Sequence, residues 1–102
     1  MTPTISDQWP QRILLAPTKL AVAELLREYQ LALLPSDLAK VPEGCQKLIM
    51  EPSPDIHGNA VRLLRYALTF TGDEHACQFL HDVAQVFAAG STRLNQLESL
   101  SR

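Results

Sequence analysis

Apolar residues recur along most of this chain at steps of three and four, the interval that stacks side chains on one face of an α-helix. The longest run starts near Glu74. Ala76, Leu80, Val83, Phe87, Gly90, Leu94 and Leu97 keep the rhythm without a break, a heptad-type seam over about three heptads. Gly90 is its weak point, because glycine inside a helix costs about 0.5–1 kcal/mol relative to alanine. The unbroken apolar phase favours one nearly continuous helix to Leu100. A close approach by another helix, or a restart capped by Ser91 or Thr92, are the alternatives at Gly90.

Two more helices follow from the same pattern. Val22, Leu26, Tyr29 and Leu33, widened by Leu25 and Ala32, mark a helix from Pro17 or Thr18 to Leu34. Pro17 suits the first helical position, Thr18 is an alternative cap, and Pro35 ends the element. Ile56, Ala60, Leu63, Ala67 and Phe70 mark a helix from Pro54 to Phe70 or Thr71, with Ser53 as the expected cap. Val61, Leu64 and Leu68 widen its apolar arc so far that burial on more than one side, and a central place in the domain, are expected. Gly72 suits a helix end, and Thr71 or Asp73 caps the next helix, so Thr71 to Asp73 is a tight antiparallel connection.

Between the first two helices, Pro35, Pro42, Pro52 and Pro54 break the chain into short pieces. Ser36 is placed to cap one turn through Lys40. Glu43 to Met50 fits a short helix with Cys45, Leu48 and Ile49 inward, and Lys47 to Met50 fits an extended segment equally well. Residues 1–12 are read as a flexible arm without helical period, with Ile13 to Leu15 docking on the core. Trp9, the single tryptophan, either covers an edge of its own domain or enters a partner; the first is favoured, since tryptophan is usually largely buried.

The picture is therefore all-α: one domain over residues 1–102, a small antiparallel bundle of three main helices plus short helical turns, ending in a long amphipathic helix. Composition agrees, with 46% hydrophobic and 20% charged residues in 102 positions. A formal net charge of -2 gives no global attraction to nucleic acid or anionic membrane. No apolar run approaches the ~18–20 residues of a membrane span. Without a signal-peptide pattern at the start, and with two cysteines, a reduced cytoplasmic setting is the simpler expectation. The layout is generic for small bacterial helical proteins, and no family motif stands out.

Candidate chemistry is sparse. Cys77 and His81 are four apart and share a helix face, whereas His75 points about 200° away from Cys77. A metal site would need a further ligand such as His57 or Cys45. The plainer reading is a packed Cys77 beside the seam and His81 at its rim. No base or oxyanion feature flanks either cysteine as a nucleophile site would require. A Cys45–Cys77 disulfide needs an oxidising compartment. Arg62 and Arg65 share one side of their helix, and pairing with Glu24, Glu28 or Asp82 is the plain expectation. A DNA-reading role is disfavoured, because the helix after the turn opens Glu74-His75 and carries Asp82.

By elimination the expected function is non-catalytic: an adaptor, small chaperone or regulator that binds protein without a cofactor. The final helix exceeds its partners by about two turns at ~1.5 Å per residue. A two-fold homodimer joined through Val83, Phe87, Leu94 and Leu97, with Trp9 as a further contact, would cover the excess. A transcriptional regulator and a metal- or thiol-dependent sensor or enzyme using Cys77 and His81 are the alternatives.

Overall fold

A computed structural model describes residues 5–69 and 73–100 of the chain. The described residues are helical and contain no strand. They form α1 (Ile5–Leu14), α2 (Lys19–Ala32), α3 (Pro35–Leu38), α4 (Glu43–Met50), α5 (Ile56–Thr69) and α6 (Glu74–Leu100). The all-α reading and the long C-terminal helix both hold, and α6 passes through Gly90 without interruption.

The helix boundaries follow from local polar chemistry. Thr18, not Pro17, starts α2: its backbone is extended, and its hydroxyl accepts a hydrogen bond from Ala21 N at 3.1 Å. The helix ends at Ala32, two residues earlier than expected, because Leu33 is already extended and Pro35 opens α3. Asp55, two residues beyond the expected Ser53, caps α5 by accepting from Gly58 N at 3.0 Å. Asp73 caps α6 through Ala76 N at 3.0 Å. The expected Thr71 alternative and the end at Phe70 lie outside the described residues.

Ser53 has a different task. Its hydroxyl donates to Asn59 Oδ1 at 3.0 Å, and Asn59 Nδ2 donates to the Ser53 carbonyl at 2.8 Å. Asn59, expected on the polar side, is fully buried. Gln30, also buried, donates to the Ile49 carbonyl at 2.8 Å. These two amides satisfy backbone carbonyls on the α4–α5 connection and at the end of α4.

Two expectations are corrected. Residues 5–12 are not a flexible arm: α1 packs against both α2 and α6. Trp9, Ile13 and Ala16, spaced four and three, are all buried and form the inward stripe. Pro10 lies inside this helix, where it removes one backbone hydrogen bond, and burial of the flanking stripe outweighs that loss. Residues 1–4 of the expected arm lie outside the described residues. The second correction concerns the centre of the bundle. It is α6, not α5, that receives α1, α2 and α5. On α5 only Asn59, Ala60, Leu63 and Ala67 are buried, while Leu68 is 81% exposed.

Gly90 explains how α2 reaches this axis. A methyl placed on it would lie 3.0 Å from Leu26 Cδ1, so the missing side chain lets the two helices close up. Beyond that crossing, Arg93 Nε donates to the Ala16 carbonyl at 2.8 Å and Lys19 pairs with Glu98. Both contacts fasten the α1–α2 turn to the second half of α6.

Trp9→Ala is expected to cost about 3–5 kcal/mol of stability, the usual loss for truncating a buried aromatic. Urea unfolding followed by circular dichroism measures it; a free arm would leave the midpoint unchanged. Asn59→Ala should cost about 1–3 kcal/mol in the same assay, since it strands the Ser53 backbone carbonyl.

Candidate functional site

The residues expected to meet a partner divide into two groups. Val83 is wholly buried, Phe87 is 2% exposed, and Trp9 is 8% exposed. All three belong to the chain's own core, which corrects their assignment as interface residues. Trp9 meets the Tyr29 ring edge-on at 5.6 Å between centroids, and the Arg12 guanidinium lies 4.5 Å above the indole. Arg12 in turn pairs with Glu28 at 3.5 Å. Leu94 and Leu97 differ: each is only half-buried against the core.

Leu94 also lines an open groove of about 470 Å³. One wall is the start of α5, Pro54 to His57. The other is the α6 stretch Ser91, Leu94 and Asn95. Ile56 and Leu94 supply its apolar contacts, and the Asp55, His57, Ser91 and Asn95 side chains its polar ones. Past the groove, Leu100 is 77% exposed. The groove thus mixes two apolar side chains with four polar ones.

A second concavity, about 320 Å³, lies on the outer side of α5 and is lined by Arg62, Arg65, Tyr66 and Thr69. These positions run i, i+3, i+4 and i+7, so they share one helix face. The expected pairing of Arg62 and Arg65 with Glu24, Glu28 or Asp82 does not occur. Glu28 is taken by Arg12, Asp82 accepts from Gln78 Nε2 at 2.8 Å, and neither α5 arginine forms an ion pair among the described residues.

The thiols are dispersed. Cys45 is fully buried, and burial pushes its thiol above the usual cysteine range. That favours the neutral form and works against nucleophilic use. Cys77 is half-buried and His81 exposed. Among the described residues no group of three or more His, Cys, Asp or Glu side chains is arranged to hold a metal ion. His75 turns elsewhere, with Nε2 2.9 Å from Asp37 Oδ1 on α3. Tyr29 is buried as well; desolvation, and then the Asp82 carboxylate, raise its phenol above the ordinary range.

Sequence reasoning grouped Leu94 and Leu97 with Val83 and Phe87 in one seam and noted that Arg62 and Arg65 share a helix side, but it missed Ile56, Tyr66 and Thr69 as site residues. The stripe carried a signal, the i, i+3, i+4, i+7 spacing around Tyr66. The groove carried none, because it joins residues some 35 positions apart. No family model, curated protein or solved structure matches the chain.

The buried acidic groups set a pH dependence. Cys45 and Tyr29 both have raised values in the folded chain, so their neutral forms are held over a range where the unfolded chain ionises. Folding stability should therefore be flat between about pH 6 and 8 with respect to these groups and fall once the pH rises above about 9. Cys45→Ala should reduce the steepness of that fall. Thermal melts from pH 6 to 10.5 measure both; an unchanged slope in Cys45→Ala contradicts the assignment.

Proposed function

We propose that this chain is a non-catalytic protein–protein interaction module that self-associates through the last turns of α6. The observation carrying this reading is the gradient of cover along that helix. Val83 and Phe87 are buried within the chain, Leu94 and Leu97 are half-buried, and Leu100 is 77% exposed. The chain's own helices run out of surface to offer before α6 ends. Leu94 and Ile56 then contribute apolar surface to an open groove that polar side chains also line. A second copy related by a two-fold axis would place its own last turns there, satisfying both copies with one contact type.

The size of the surface sets the strength. A few leucines and a groove wall on each copy fall at the small end of specific interfaces, below roughly 1,200 Å² in total. Association is thus expected in the micromolar range, a reversible equilibrium in place of a permanent dimer. This is narrower than the expectation from the whole heptad seam, since Val83 and Phe87 are spent internally.

Sedimentation velocity across about 1 to 500 µM tests the reading, a span chosen to bracket micromolar dissociation constants. The weight-average sedimentation coefficient should rise with concentration toward that of a dimer. Leu100→Glu changes only an exposed side chain, and it should shift the transition upward by about tenfold or more by burying a charge at the contact. Leu31→Glu, at an exposed leucine on α2, should not. A sedimentation coefficient that stays at the monomer value throughout, or a transition equally sensitive to both variants, contradicts the proposal.

A further inference from the structure

We infer that the outer face of α5 is a second and separate binding surface, built for an acidic protein segment. The face is Arg62, Arg65, Tyr66 and Thr69, lining a shallow groove of about 320 Å³. Its geometry follows from the helix: Ala60, Leu63 and Ala67 turn into the core, so the stripe through Arg62 and Tyr66 turns out.

Three observations select the occupant. The first is charge. The chain as a whole is acidic, with a formal net charge of -2, yet the described residues lining this groove supply two guanidinium groups and no carboxylate. The second is lack of internal engagement. Arg12 is held by Glu28 and the Trp9 ring, and Arg93 donates to the Ala16 carbonyl and Gln96, whereas Arg62 and Arg65 make no ion pair with a described residue. An arginine fork that no described residue engages in an ion pair keeps its capacity for bidentate contact with a carboxylate. The third is the apolar and hydroxyl content between and beside them. Tyr66 is 40% exposed and offers part of its ring, its hydroxyl end lying toward Gly44 of α4, while the Thr69 hydroxyl donates to the Tyr66 carbonyl at 2.7 Å and keeps only its acceptor side for a ligand.

Together these fit a segment carrying carboxylates about one helical turn apart with an apolar or aromatic side chain between them. The carboxylates meet the guanidinium groups, and the apolar residue lies on Tyr66. A nucleic acid fits less well. Two arginines supply few phosphate contacts, and Glu74 and Asp82 follow on the next helix. This surface does not include Leu94, Leu97 or Leu100, so it operates whether or not the chain self-associates.

Fluorescence anisotropy with defined probes tests the inference. The probes are a fluorescein-labelled, end-blocked ten-residue peptide alternating glutamate with phenylalanine, the same peptide with glutamine for glutamate, and a short DNA duplex. The acidic peptide should bind saturably and weaken as salt rises. The glutamine peptide and the duplex should bind at least about tenfold more weakly, the scale of losing charge-assisted hydrogen bonds. The double variant Arg62→Gln/Arg65→Gln alters only exposed side chains, and it should lose at least about tenfold in affinity for the acidic peptide with an unchanged circular dichroism spectrum. Arg27→Gln, an exposed arginine on α2, should leave affinity unaltered. Amide chemical-shift changes on the unaltered chain should centre on residues 62–69. The inference is overturned by absence of saturable binding, equal affinity in the double variant, shifts centred elsewhere, or a duplex that binds as tightly as the acidic peptide.

Discussion

The structure depends on one constraint: the apolar face of α6 has to be covered. Ala76, Phe79, Leu80, Val83, Ala84, Val86 and Phe87 are all buried along this single helix, more apolar surface than any one neighbour can hide. Three helices converge on it as a result. Each of these arrives with its own stripe: Trp9 and Ile13 from α1, Val22 and Tyr29 from α2, Leu63 and Ala67 from α5. Burial of such side chains is worth about 1.5–3 kcal/mol each for the larger aliphatics, and it overrides local preferences such as Pro10 within α1.

Polar groups then fix which of the possible packings is adopted. Hydrophobic burial is non-directional, so it does not decide where the α4–α5 connection lies. Asn59 and Gln30 do, each by taking one backbone carbonyl to a set position. Arg93 acts likewise at the other end of α6, where its bond to the Ala16 carbonyl anchors the α1–α2 turn. The glycine at position 90 completes the arrangement by letting Leu26 approach the helix axis. Past that point the cover thins: Leu94 and Leu97 are half-buried and Leu100 is exposed.

Much of this is legible from residue spacing. The apolar rhythm gives α2, α5 and α6 and most of their inward residues, though Ala32 and Leu68 turn out exposed; proline placement marks the short pieces between α2 and α5 but left helix and extended segment open at Lys47 to Met50. Two things were not. The stripe Trp9, Ile13 and Ala16 does have helical spacing, but Pro3 and Pro10 masked it, because proline is costly in a helix interior unless packing outweighs it. Asn59 reads as polar and therefore outward, and only the Ser53 partnership makes its burial affordable. The candidate sites divide in the same way. The α5 stripe lies within eight residues and is visible in one dimension. The groove between Ile56 and Leu94 exists only once α5 and α6 are packed, and only the folded chain shows Val83 and Phe87 to be buried in its own core.

Hydrogen exchange resolved along α6, recorded at low and high protein concentration, is the most direct measurement. In dilute protein, amides of residues 79–90 should be the slowest to exchange and those of 94–100 markedly faster. At high concentration the 94–100 segment should slow while 79–90 stays unchanged. Uniform protection along the helix that ignores concentration would contradict the view that α6 outruns the cover its own chain provides.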